Sequence, residues 1–149
     1  MSSAIKKNKL EQLTGFVEEL QEFDGISYAE FEQKKHYLVE RLFELMVIYA
    51  SDILLHFFSQ QKEDIPTTMR TTFLRAGELN ILPDDLALRL SKAAGMRNVL
   101  VHAYTKVDLK IIYQSIGPAL KDFSQFVEIM SQQMNLIQQE APEQPPEET

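Results

Sequence analysis

Residues 28–61 constrain this chain more than any other stretch. The run holds neither proline nor glycine. Its apolar content rises from Tyr37 onward, through Leu38, Leu42, Phe43, Leu45, Met46, Ile48, Tyr49, Ile53, Leu54 and Phe57. On an α-helix of about 3.6 residues per turn, those side chains are close to hydrophobic on every side. A helix of that kind is central, or it faces a partner as well as its own core. The remaining segments then have to supply cover for it.

They have the patterning to do so. Over residues 4–23, Leu10, Leu13, Phe16, Val17, Leu20 and Phe23 recur at helical spacing, and Asp24-Gly25 stops the segment. After the turn Lys62-Glu63-Asp64-Ile65-Pro66, Thr67 or Thr68 can cap a short helix through about Ala76, with Gly77 ending it. Pro83 opens the next helix, and Asp84 and Asp85 in its first turn suit the helix dipole. Leu86, Leu90, Ala93, Ala94 and Val101 form its inner face, with Gly95 a small residue just before Arg97. Asp108 is the candidate cap of a last helix over 109–137. Ile112, Ile116, Leu120, Phe123, Val127 and Met130 face inward there, and a kink is expected at Gly117-Pro118. Residues 138–149, QQEAPEQPPEET, are acidic, proline-rich and without large apolar side chains, which predicts a disordered tail. The predicted fold class is all-α, a bundle of about five helices over residues 1–137.

Composition removes several function classes. The chain has no cysteine, hence no disulfide framework and no thiolate metal site. His36, His56 and His102 lack zinc-ligand spacing, so no metal is expected. No apolar run approaches the roughly 20 residues of a membrane span, and the N-terminal MSSAIKKNKLEQL has no apolar h-region. A cytoplasmic protein without a membrane partner is the simplest reading. The net charge of −7 argues against broad, nonspecific nucleic-acid binding. Residues 65–125, however, carry 8 basic and 5 acidic side chains, whereas residues 1–64 carry 7 and 12. A local positive field is possible there, although ordinary helix-surface charge explains the same counts.

That basic segment contains Gly95-Met96-Arg97-Asn98-Val99-Leu100-Val101-His102-Ala103-Tyr104, with the spacing Arg-x(4)-His-x-Tyr. In one uninterrupted helix, five steps of about 100° separate Arg97 from His102 by roughly 140°. Arg97, His102 and Tyr104 can converge only if the helix ends near His102, or if a second copy of the chain supplies the missing side. Histidine suits proton transfer near neutral pH. Arginine's forked donors suit a charged phosphoryl centre. Tyr104 can stack on a base, and Asn98 can bond His102 or substrate. The structural alternatives are a histidine near a helix end, an arginine paired with Asp84, Asp108 or Glu40, and a tyrosine packed on the core.

The run RNVLVHAY resembles the signature of the HEPN superfamily, and more narrowly of HepT-type toxins. The upstream HYLVERLFELMVIYASDILLHF is similar to the family's long second helix, with Glu40-Arg41 and the Asp52/His56 pair. The downstream VDLKIIYQSI is similar to the start of its last helix. The resemblance covers about residues 28–130. It implies a helical, homodimeric ribonuclease toxin that cleaves RNA without a metal or other cofactor. Arg97 and His102 would be catalytic, with Asn98 and Asp52 in support. It also implies a nucleotidyltransferase antitoxin of the MNT type, which uses ATP and Mg²⁺ to AMPylate Tyr104. A non-catalytic helical module that binds a nucleotide or a partner, or a substrate-binding subunit of a nucleotidyltransferase, remains the alternative from the residues alone.

Overall fold

The computed structural model describes the backbone of residues 2–102 and 108–140, and the side chains of residues 8–98 and 108–135. Among the described residues the chain forms five helices and no strand: α1 (Ser2–Gln21), α2 (Tyr28–Gln60), α3 (Met69–Glu78), α4 (Asp84–His102) and α5 (Leu109–Glu140).

The α2 helix is central, as its composition predicts, and it packs against each of the other four. Val39, Leu42, Phe43, Met46, Val47, Ala50, Ile53, Leu54, Phe57 and Phe58 are all buried along it. From α1, Leu10, Leu13, Val17 and Leu20 pack onto this core, and Phe23 follows from the turn beyond. Leu86, Leu90 and Ala94 join from α4, and Ile112, Ile116, Phe123, Phe126 and Met130 from α5. Phe126 belongs to the α5 stripe although the spacing argument passed over it. By length and mean hydropathy Tyr28–Gln60 could cross a membrane, which corrects the expectation that no segment could; 56% of its most apolar window is buried within the bundle. That is how the core helix of a helical bundle looks.

Local chemistry explains the helix ends. The Ser27 side chain accepts from the Glu30 amide at the start of α2. Within α2, Phe31–Lys35 form a π-helical turn that the sequence does not announce. The turn absorbs one extra residue, so that Phe31 and Val39 both reach the core. Thr68 and Thr71 make a reciprocal capping box before α3. Gly77 does not end α3, contrary to the expectation. The helix runs to Glu78, and Asn80 turns the chain with φ of 59°. Gly77 instead lies where α3 crosses α4, and a Cβ there would sit 2.8 Å from the Ala87 Cβ. Asp108 caps α5 by accepting from the Lys110 amide at 3.0 Å. Gly117 and Pro118 do not break α5, which continues to Glu140. Residues 138–140 are therefore helical rather than the start of the predicted tail; 141–149 lie outside the described residues.

Candidate functional site around Arg97

Arg97 extends an apolar stripe. Leu86, Leu90 and Ala94 are buried on the inner face of α4, and Arg97 follows three residues after Ala94 and seven after Leu90. Residues so spaced share a helix face, so the stem of Arg97 is drawn inward. Its Nε is buried without a hydrogen-bond partner. Nη1 donates to Asn98 Oδ1 at 3.4 Å, long for a charged donor. Among the described residues no carboxylate pairs with Arg97. Glu40 Oε2 accepts from His36 Nδ1 at 3.2 Å, and Asp108 caps α5. A buried donor left unmade costs about 1–3 kcal/mol.

The described part of α4 runs as far as His102. Asn98, one step round from Arg97, is exposed. The side chain of His102 and all of Tyr104 lie outside the described residues. A Cβ on Gly95 would meet no atom within 4 Å, so among the described residues nothing packs against that side of the backbone ahead of Arg97. Beside that turn, α4 and α5 enclose an apolar groove of about 250 Å³, lined by Ala93, Met96, Ser115, Pro118, Ala119 and Phe123 among others.

Asp52 is elsewhere. It pairs with neither Arg97 nor Arg41 but with Lys9 of α1, Nζ to Oδ2 at 3.2 Å; the same ammonium stands 5.1 Å from the centre of the Tyr49 ring. Arg41 pairs with Glu44. His36 and His56 are half-buried. Of the basic side chains between residues 65 and 125, Arg75 is met by Glu63 and Glu78, and Arg89 by Asp85 and Asp122. Among the described residues Arg70, Lys92, Arg97, Lys110 and Lys121 form no salt bridge, so most of the uncommitted positive charge lies on α4 and α5, with Arg70 on α3. The Arg89–Asp122 bridge was not anticipated. Its signal was a single carboxylate, Asp122, beside Phe123 on the inner side of α5.

Two groups near the end of α4 are also tied to the site's surroundings. Tyr113 of α5 donates its hydroxyl to the Ile26 carbonyl at 2.5 Å and packs edge-on against Tyr28. Partial burial first, then the hydrogen bond to Glu32 and the carboxylates of Glu32 and Asp108, hold the Tyr28 phenol above the usual phenol range. Among the described residues no group of three or more His, Cys, Asp or Glu could hold a metal ion.

The arrangement is similar to that of known proteins across most of its length. The family model described as HepT-like ribonuclease matches residues 11–130. A tRNA nuclease HepT from Aphanizomenon flos-aquae is 29% identical over 140 residues, covering 91% of this chain and 94% of that protein. An mRNA nuclease HepT from Shewanella oneidensis is 33% identical over 79 residues, covering 53% of this chain and 59% of that one. The solved structure of a tri-AMPylated Shewanella oneidensis HEPN toxin in complex with its MNT antitoxin superposes with a TM-score of 0.79 at 26% identity, over 86% of this chain and 97% of that chain. The match to the family model spans the central helix, Arg97 and the helix described as far as His102, and this chain belongs to the HepT-like ribonuclease family.

Proposed function

We propose that this protein is the RNA-cleaving toxin of a toxin–antitoxin pair, silenced by AMPylation of Tyr104. The observation that carries the reading is the Nε of Arg97, buried without a hydrogen-bond partner among the described residues, on the helix whose described part runs to His102. In the proposed reaction His102 takes the proton of a ribose 2′-hydroxyl. The 2′-oxygen bonds to the adjacent phosphorus, and the bond from phosphorus to the 5′-oxygen breaks. A proton returns to that 5′-oxygen, leaving a 2′,3′-cyclic phosphate and a 5′-hydroxyl. Arg97 faces the charge that develops on the phosphoryl oxygens. Asn98 holds the Arg97 guanidinium, and Asp52 supports from a distance by fixing α1 to α2. No metal takes part.

The second proton-transfer role belongs to the His102 of a second copy, in a two-fold dimer that brings both motifs to one cleft. The surface of α2 supports this. Leu45 and Ile48 are half-buried yet stand outside the described core, and Leu38 beyond them is exposed. An antitoxin nucleotidyltransferase of the MNT type, using ATP and Mg²⁺, joins the Tyr104 oxygen to the α-phosphorus and releases pyrophosphate. The added nucleotide places bulk and negative charge beside Arg97. We place the protein in the cytoplasm, with its RNA substrate.

The test is RNA cleavage by the purified chain in EDTA, with His102→Ala and Arg97→Ala alongside. Cleavage that survives EDTA and is lost in both variants, with unchanged far-UV spectra, is expected. Full activity in His102→Ala sinks the reading.

A further inference from the structure

The first turns of α2 present a surface that precedes the Leu45 and Ile48 face assigned above to the second copy, with Leu38 bordering both. Tyr37 is 74% exposed, the largest exposure among the big apolar side chains. Its ring lies 3.8 Å from that of His36, centre to centre. Lys34, Leu38 and Arg41 are exposed around it on successive turns. Three acids of this stretch are committed, Glu40 to His36, Glu44 to Arg41 through one guanidinium nitrogen, and Glu32 to the Tyr28 hydroxyl, while Glu30 in the first turn is exposed. Among the described residues Lys34 and Lys35 form no salt bridge. The exposed ring, with Lys34 unpaired among the described residues and Arg41 held by Glu44 through one guanidinium nitrogen, makes a cationic aromatic surface. It fits the surface of a single-stranded polyanion whose units carry flat π-faces.

Its place in the fold ties it to the motif. His36 meets Phe31 edge-on, Phe31 packs against Tyr113 and Tyr28, and Tyr113 lies in the first turns of α5. Asp108, which opens α5, acts on the Tyr28 phenol. Only residues 103–107 separate Asp108 from His102, a reach of at most roughly 20 Å. The π-helical turn supports the whole group: it buries Phe31 and seats His36 over it, and turns of this kind recur at functional sites.

We propose that Lys34, Tyr37 and Arg41 form a docking platform for the RNA strand being cleaved, with one base stacked on Tyr37 and neighbouring phosphates held by the two cations. This rests on the ribonuclease reading, and it names a binding determinant that the Arg97 motif lacks. Stacking sets the affinity and is tolerant of base identity, while the motif does the chemistry.

The experiment is steady-state cleavage of a fluorescent, unstructured RNA by the full chain and by Tyr37→Ala, Tyr37→Phe and Lys34→Gln/Arg41→Gln, each checked by thermal melt and light scattering. Tyr37→Ala should raise KM roughly five- to a hundred-fold, as loss of one base stack does, with kcat within about twofold. Tyr37→Phe should keep the wild-type KM, because the ring and not the hydroxyl stacks. The double variant should raise KM and flatten its dependence on salt. An unchanged KM in Tyr37→Ala beside an active wild type overturns the platform and leaves the ribonuclease reading intact. Loss of self-association in Tyr37→Ala overturns it too, making this face an interface between copies. If the wild type cleaves no RNA, the ribonuclease reading fails, and anisotropy of the same RNA decides the platform: equal affinity for wild type and Tyr37→Ala overturns it, and weaker affinity in Tyr37→Ala upholds it.

Discussion

Arg89 donates its Nε to Asp122 at 3.0 Å, and this bridge fastens α4, which carries Arg97, to α5. Asp122 is nearly buried, so its carboxylate depends on Arg89. The same guanidinium reaches Asp85 on its own helix at 3.0 Å. The Arg97 helix is thus held by a charge between helices as well as by its apolar stripe. Asp122→Ala should cost about 1–3 kcal/mol, since a hydrogen bond to a charged group is lost and Arg89 keeps only its surface partner. That is roughly 3–10 °C in Tm for a chain of this size. Asp85→Asn, at the surface, should cost less. Equal losses in the two variants would show that the bridge between the helices has no special weight.

Acid should weaken the Asp85 contact in a defined window. The hydrogen bond from Arg89, then the Leu86 amide at the start of α4, hold the Asp85 carboxyl below the usual carboxylate range. A carboxylate whose folded pKa is depressed gives stability that is complete above its ordinary pKa and is lost as pH falls through the folded value. The Tm difference between wild type and Asp85→Asn should therefore be constant near neutral pH and should close below about pH 4. A difference that closes between pH 6 and 8 would point to a histidine instead.

Two glycines on neighbouring helices should respond in opposite directions. At Gly77 a methyl group would meet the Ala87 Cβ at 2.8 Å, and both residues sit in packed helices. Gly77→Ala should destabilise by about 1–3 kcal/mol through overpacking. At Gly95 a methyl group meets nothing within 4 Å. Gly95→Ala should raise stability by about 0.5–1 kcal/mol, the ordinary gain of alanine inside a helix. Denaturant midpoints measure both. A loss of stability in Gly95→Ala would reveal a neighbour at that turn, such as a second copy.

These positions show how far the residues alone could be read. The central place of α2 was legible because its composition leaves no polar side. That Arg97 and His102 cannot converge along one continuous helix was legible as a condition, and the residues that would meet it, 103–107, lie outside the described ones. The spacing of Leu86, Leu90 and Ala94 marked the inner face of α4, but Arg97 was not counted on it, because a charged residue does not announce itself as part of an apolar stripe. The π-helical turn was hidden, because one extra residue in a helix changes neither composition nor period enough to notice. Gly77 was misread because glycine stops helices and also lets helices touch; only the Ala87 contact distinguishes the two. Asp52 found Lys9, 43 residues away, and no local spacing encodes such a pairing.

Arg97 separates stability from activity most sharply. Its Nε is buried without a partner, while Leu86, Leu90 and Ala94 continue the same face toward the core. Arg97→Leu removes an unmet donor worth about 1–3 kcal/mol and extends an apolar stripe. The Tm should hold or rise. Cleavage should fall by at least about a hundredfold, because the donor facing the developing phosphoryl charge is gone. Arg97→Lys keeps the charge but loses the planar fork, so it should recover only part of the activity. A variant series in which Tm and activity fall together from Arg97→Lys to Arg97→Leu would show that the arginine holds the fold. A Tm that holds while activity disappears would show that the fold tolerates this strained arginine for the sake of the reaction.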